Sequence, residues 1–470
     1  MKQPKLPQGQ CIQVFSTIGP KVASGNTVPT IRSTATTPAA SSITTDEARA
    51  FVVSEERKMT VSSKSLSIIA AAALGTCAVP TVAEESQAPG FTNMFSDGKT
   101  SFNFRYRYEY VDQDGLSRNA KASTLRSRLT FTSAEYRGLS FLAEFDDVTA
   151  IGSDNYNSTA NGKVQYPVVA DPEGTEVNQA WLKYAAAGAS GTYGRQRILH
   201  GNQRFVGGVG WRQNEQTYDG FRAMYEGDHG FTVDYAYVYN INRIFGPDDG
   251  PAQPANHHGE NHFLRADWKI VENHTVSAFY YGLDIDDDLA YAPGKTVGNS
   301  SDTVGVEYNG KFGPIGANAS YATQSDAGDS PLSYDADYYL LEGSFAFSGL
   351  KASLGYEVLG AGDGVGFKTP YATLHKFQGW ADMFLVTPGD GIEDLYVGLT
   401  GKLGPVALGG FYHDFSAEDS SEDWGTEIDL VATWNYSKNW MFQLKYASFS
   451  SDSDAYTDSD KAWVTVNFKI

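Results

Sequence analysis

The chain has 470 residues, with 36 Lys and Arg against 56 Asp and Glu and a formal charge of −20, which argues against nucleic acid as a partner. Mean hydropathy is −0.35 and no run of about 18 apolar residues occurs, so no helix is predicted to span a bilayer. Aromatics are abundant at 28 Tyr, 26 Phe and 8 Trp, and the 2 cysteines, Cys11 and Cys77, both lie near the N-terminus. The rest of the chain thus avoids stray disulfides in an oxidising compartment.

Residues 1–58 are rich in Ser, Thr, Pro and Gln without sustained periodicity. They read as a disordered leader or as an extension upstream of a true start at Met59. Residues 59–83 resemble a secretory signal peptide. Lys64 supplies the positive n-region, Leu66–Val79 the short apolar run, and Thr81, Val82 and Ala83 the small residues of a cleavage site. Residues 1–83 hold 8 basic and 4 acidic residues, so their removal leaves a formal charge of −24. Residues 84–99 are expected to form a short periplasmic lead-in, and 100–470 a single domain, because no linker divides it.

From residue 100 the pattern is strand-like. Phe102, Phe104, Tyr106, Tyr108 and Tyr110 fall on one side of a pleat, and Asn103, Arg105, Arg107 and Glu109 on the other. A dry core would not accept paired arginines without partners, whereas a barrel with lipid outside and water inside accommodates both faces. Later stretches repeat the alternation. Phe231, Val233, Tyr235, Tyr237 and Tyr239 share a face, and the chain ends with Val464, Val466, Phe468 and Ile470 alternating with Thr465, Asn467 and Lys469. Links after even-numbered stretches are short (Y-R-G, G-D-H-G, F-G-P-I-G). Those after odd-numbered stretches are long and polar, including 149–174, 199–216, 241–258, 285–300, 325–334 and 361–391. The expected fold is all-β: a single transmembrane antiparallel β-barrel of about 18 strands, with short periplasmic turns and long extracellular loops, in a Gram-negative outer membrane. A soluble β-sandwich or propeller would not need this loop asymmetry, and no blade-length repeat is present.

Of the 13 arginines beyond Ala83, 11 lie between Arg105 and Arg222, and none follows Arg265. Strand period places Arg105, Arg107, Arg126, Arg128 and Arg222 away from the apolar side, and Arg195 and Arg197 on one face of T-Y-G-R-Q-R-I. Rows of guanidinium on one lumenal wall would favour anions, since arginine stays charged and its planar fork matches carboxylate. The competing reading is structural: the same arginines pair with Glu109, Glu144, Asp146, Asp219 and Glu226 and brace the barrel. Acid clusters at 248–250, 284–288 and 421–423 fit no calcium-loop spacing. They read as a solvated acidic surface facing lipopolysaccharide, so neither a metal nor a cofactor is expected.

Two loops stand apart. The loop from Gly360 to Gly391 carries His375, Phe377, Trp380, Asp382 and Phe384, and is too long and aromatic for a plain connection. Together with H-G-N-Q-R-F-V-G-G-V-G-W-R-Q (200–213), which presents Arg204 and Arg212, it is a candidate constriction. The alternative is an external lid. No hydrolase or metalloprotease motif occurs, and His413 with Asp414 is the only acid–base pair that invites mention, so no enzymatic activity is expected.

Taken together, these residues resemble the alginate-export family of outer-membrane barrels. The resemblance is carried by Arg105-Tyr-Arg107-Tyr-Glu109, by Gly194-Arg195-Gln196 and by W-R-Q-N-E-Q-T-Y-D-G from Trp211 to Gly220. It extends to L-G-Y-E-V-L-G and F-K-T-P-Y-A-T-L-H-K-F-Q-G-W-A-D-M-F between Leu354 and Phe384. It implies an 18-stranded barrel whose arginine-rich pore passes an anionic uronate polymer, with Arg105, Arg107, Arg126, Arg128, Arg195 and Arg222 as pore residues. Expected partners are outer-membrane lipid, an anionic saccharide or small anion, and periplasmic export proteins. A general or oligosaccharide-uptake porin, and a plugged structural or adhesive barrel, remain open.

Overall fold

The computed structural model describes residues 90–250, 253–286 and 298–470. The leader at 1–58, the signal-like segment 59–83, both cysteines, residues 84–89 of the lead-in and the acids Asp287 and Asp288 lie outside the described residues. A one-turn helix, α1 (Asn93–Ser96), precedes the first strand and buries Met94.

Twenty strands follow among the described residues, and eighteen of them make the wall. The first nine are β1 (Lys99–Gln113), β2 (Ala120–Thr132), β3 (Leu139–Asn155), β4 (Gly174–Ala186), β5 (Ala189–Gln196), β6 (Thr217–Glu226), β7 (Phe231–Asn242), β8 (Asn256–Val271) and β9 (His274–Leu283). Next come β10 (Ser301–Phe312), β11 (Ile315–Asp326), β12 (Asp335–Phe347) and β13 (Leu350–Leu359). A small hairpin, β14 (Ala361–Gly362) with β15 (Val365–Gly366), sits in the long loop. The wall then finishes with β16 (Ile392–Leu403), β17 (Val406–Ser416), β18 (Asp423–Asn435), β19 (Trp440–Ser451) and β20 (Ser459–Lys469). Each wall strand pairs antiparallel with its neighbours, and β20 closes on β1, with Asn103 opposite Lys469 and Gln113 opposite Ser459. Closure removes every free edge, the condition for a sheet in lipid.

The strand count and the alternation of long loops with short turns match the expectation from sequence. The two-residue turn Ala187-Gly188 shows how tightly the short side is drawn. Both residues have positive φ, 50° and 79°, the mirror-image turn whose twist suits a hairpin.

The faces are sharply different. On β10, Val304 and Val306 are 53 % and 52 % exposed on the outside, while Thr303 and Glu307 are 3 % and 9 % exposed inside. Outward tyrosines on the loop side donate hydrogen bonds to outward carboxylates: Tyr280 to Asp302, Tyr321 to Asp337 and Tyr446 to Asp460, at 2.7–2.9 Å. Near the short turns, Trp434, Trp440, Phe442 and Phe468 pack against one another. Amphipathic rings at both levels are the girdles that seat a barrel in its membrane. Among the described residues no helix is long and apolar enough to cross a membrane; the strands do so.

Candidate functional site

The lumen is built from two unlike walls and two loops that fold between them. On the first wall, register sets Arg105 directly opposite Arg126, Arg107 opposite Thr124, and Arg128 opposite Asp146. Like charges directly across a ladder repel, so the Arg105–Arg126 pair needs counterparts. Arg105 donates to Gln213 Oε1 at 2.9 Å and to the backbone carbonyls of Gly210, at 2.8 Å, and Arg212. Arg126 donates to Asn103 Oδ1 at 2.7 Å, with Glu215 3.8 Å away. Arg128 grips Asp146 with two bonds of 2.7 and 2.5 Å and reaches Glu215 at 2.9 Å.

Glu215, from the loop between β5 and β6, is the hub. Arg197 donates to it at 2.5 Å and to Glu144 at 2.6 Å. Burial pushes the Glu215 carboxyl up, but the guanidiniums of Arg128, Arg197 and Arg126 outweigh this and hold it well below the usual carboxylate range.

Two guanidinium groups nevertheless remain incompletely hydrogen-bonded. Nε and Nη1 of both Arg107 and Arg126 are buried with no hydrogen-bond partner among the described residues. Arg107 lies 4.0 Å above the ring of Trp211 and 3.9 Å from Asp171.

Arg222 also faces inward, paired with Asp234. Arg195 does not. It lies in register with the exposed Ala180 and with Asp219, on the outward face shared by Tyr193 and Phe221, which are 60 % and 46 % exposed. There it forms a two-bond pair with Asp219, at 2.8 and 3.0 Å. Arg197 reaches the lumen because β5 ends at Gln196 and the chain leaves the pleat. The expectation that the two arginines share a face is therefore corrected. Asp219 braces the outer face rather than the lumen, and Glu226 is exposed at its strand end.

Both constriction candidates fold inward. Arg204 is 1 % exposed and donates to Glu357 Oε1 of β13 at 2.8 Å, to Thr369 at 3.2 Å and to Gln378 at 3.1 Å. Arg212 reaches Glu109 at 3.0 Å and Asp382 at 3.3 Å. The loops are stitched together by Gly207 N–H to Tyr371 O and Thr373 N–H to Gln203 O, at 2.8 and 3.0 Å. Their aromatics join a core on the inner wall that includes Phe205, Tyr281, Tyr338, Phe367, Phe384, Phe415 and Trp463.

The second wall is acidic. Glu427 and Asp429 of β18 accept the backbone N–H groups of Ala381 and Trp380 at 2.7 and 3.1 Å. Gly379 makes this approach possible: its φ is +77°, and a Cβ there would stand 2.4 Å from Glu427 Oε2. Gly379→Ala is expected to unseat the loop at a cost of about 1–3 kcal/mol, read as faster protease nicking within 360–391 at unchanged barrel assembly. His413 points inward to Asp394, at 2.9 Å, while Asp414 faces out. Strand alternation separates His413 from Asp414, so they form no acid–base pair.

His375 and Asp382 sit where the walls and loops meet. His375 stacks on Trp211 at 4.2 Å and is bonded to Asp382 at 2.7 Å and to Lys445 at 2.7 Å. Burial drives the imidazole down to about 3, outweighing the attraction of Asp382. It is therefore neutral near pH 7, donating from Nδ1 to Asp382 and accepting at Nε2 from Lys445. Burial raises the Asp382 carboxyl, but His375, Lys461 and Arg212 hold it well below its ordinary value.

Glu215, Asp171, Glu357, Lys445, Trp211 and Trp463 were not singled out from sequence as site residues. Glu215 and Trp211 do lie in the W-R-Q-N-E-Q block, whose unusual composition was a signal. No group of three or more His, Cys, Asp or Glu among the described residues is placed to hold a metal ion.

Residues 99–369 match the sequence model of a family described as alginate export. The chain belongs to the alginate export family. Solved structures agree on the fold. OpdK of Pseudomonas aeruginosa, solved with vanillate, superposes at a TM-score of 0.62 with 13% identity, covering 80% of this chain and 99% of its own. OccAB4 of Acinetobacter baumannii gives 0.61 at 13% identity, covering 79% and 98%. OccK8 (OprE) of Pseudomonas aeruginosa gives 0.59 at 15%, covering 80% and 99%. A search of curated proteins finds no match. This alginate-export barrel is an outer-membrane channel for solutes in a Gram-negative bacterium.

Proposed function

We propose that the channel prefers anions and passes carboxylate-bearing solutes, uronate chains or small organic acids, along the wall of Arg105, Arg107, Arg126, Arg128, Arg197 and Arg222. The observation that carries this is the set of partnerless N–H groups on Arg107 and Arg126. Bracing explains Arg128, held by Asp146 and Glu215, but leaves those groups unused. A guanidinium with free edge positions is matched by a carboxylate fork. The family's description supports uronate, and the vanillate in OpdK supports a small carboxylate.

The test is the reversal potential of the protein, purified from outer membranes and placed in a planar bilayer under a salt gradient. Oligouronate or vanillate is then added. Arg107→Gln/Arg126→Gln is expected to cut the anion-to-cation permeability ratio by about threefold or more, because focused fields in a lined cleft amplify single charges. Block by the carboxylate should weaken in parallel. Arg128 is the poorer target, since its loss strands buried Asp146, both of whose oxygens it holds. Equal permeability of anions and cations in the unaltered protein would reduce the arginines to bracing and leave a general porin.

A further inference from the structure

Lys445 projects from β19 into a cage of three indoles supplied by different parts of the chain. Its ammonium lies 3.6 Å from the ring centre of Trp380 in the loop between β13 and β16. It is 4.1 Å from that of Trp211 in the loop between β5 and β6, and 5.3 Å from that of Trp463 on β20. The same nitrogen bonds His375 Nε2 at 2.7 Å. One wall cation thus touches both inward loops at once. An ammonium over indole faces is attracted by the ring quadrupole, most strongly when desolvated, and Lys445 is 8 % exposed.

We propose that Lys445 is the latch of a gate: its hold on Trp211 and Trp380 keeps the two loops across the lumen and sets the closed position of the channel. The latch adjoins the proposed solute path, because the same Trp211 ring carries Arg107 at 4.0 Å. The closed arrangement is not fully satisfied. Nε and Nη1 of Arg107 and the indole N–H groups of Trp211 and Trp463 are buried without partners among the described residues. Buried donors left unmade carry a free-energy cost, and an opened, hydrated lumen relieves it. The closed state is therefore held by contacts at Lys445 against a strain around it, which is the energetic form of a two-state element. Lys445 acts through the loops and is a positioning residue, not a binding one.

The inference rests on the channel reading above, and two readouts keep them separate. Reversal potential reports the arginine wall, whereas conductance and open fraction report the latch. In planar bilayers, Lys445→Met is expected to raise the open fraction about tenfold, as befits the loss of desolvated cation–π contacts; anion preference is read in Trp380→Leu, which removes no charge. Lys445→Arg, which keeps a cation over the indoles, should close as the parent does. Trp380→Leu removes the cage from the loop side without altering a wall strand, and should open the channel like Lys445→Met. Conductance and open fraction at parental values in Lys445→Met, or in Trp380→Leu where Lys445→Met does not assemble, would overturn the latch while leaving anion selectivity intact. An opened but non-selective Trp380→Leu channel, in which no charge is removed, would instead uphold the latch and sink the anion reading.

Discussion

Arg204→Ala is expected to release both constriction loops from the barrel wall. Arg204 and Glu357 are 1 % and 3 % exposed, and their 2.8 Å contact joins the loop between β5 and β6 to β13. Removing one member of a buried pair strands the other charge, at a cost of ~3–5 kcal/mol, more than about a hundredfold in the ratio of seated to unseated loop. The loss is amplified because Arg204 also donates to Thr369 and Gln378, and Gln378 in turn donates to Glu357. Protease sensitivity of 197–216 and 360–391 should rise together, since the loops are bonded to each other. The barrel itself should keep its heat-modifiable mobility on gels, because its ladders are untouched. Arg204→Met/Glu357→Gln should recover most of the loss, as exchange of a buried pair for neutral groups of similar volume is often near neutral. Equal sensitivity of the single and double variants would show that packing of Phe205 and Phe367, 6.1 Å apart at their ring centres, seats the loops instead.

The barrel was legible because two periodicities agree. Alternation gave the faces, as in Phe102 to Tyr110 against Asn103 to Glu109, and loop length gave the side on which each link lies. The lumen was legible only where a strand stays regular. Arg105, Arg107, Arg126, Arg128 and Arg222 follow the pleat and point inward. Arg195 fails for a reason present in the sequence: it shares parity with Tyr193, and an aromatic on that face marks the outside. Arg197 lies beyond the end of β5, where parity has no meaning. The partners were illegible for another reason. Glu215, Asp171 and Lys445 meet their counterparts across 87, 64 and 70 residues of chain, at Arg128, Arg107 and His375, and no local pattern encodes such contacts. Of the acids expected to brace the arginines, Glu109, Glu144 and Asp146 do so from strands, whereas Glu215 and Asp171 arrive from loops.

That hub predicts the second large effect. Glu215→Gln is expected to loosen the loop between β5 and β6 by ~3–5 kcal/mol, the cost of removing one member from a buried ionic network, and to raise the anion-to-cation permeability ratio. The two effects share one cause. Glu215 neutralises part of the charge of Arg126, Arg128 and Arg197, so its loss leaves their repulsion uncompensated while making the lumen more positive. Acid dependence separates this from a packing defect. The folded carboxyl is depressed below its ordinary value near 4.5, so its contribution is fully present above that pH and is lost as pH falls toward the folded value. The stability gap between the parent and Glu215→Gln should therefore be constant from pH 7 to about 5 and shrink only below it. His375 acts in an overlapping window with the same sign. Its folded value near 3 lies under the ordinary 6.5, so its contribution is complete above 6.5 and declines through the range between them. Measuring the gap in a His375→Gln background removes that second slope. A gap that persists unchanged well below pH 4 in that background would show that it does not come from the ionised Glu215 carboxylate, whereas one that already closes between pH 7 and 5 would show that Glu215 is not held by the three arginines.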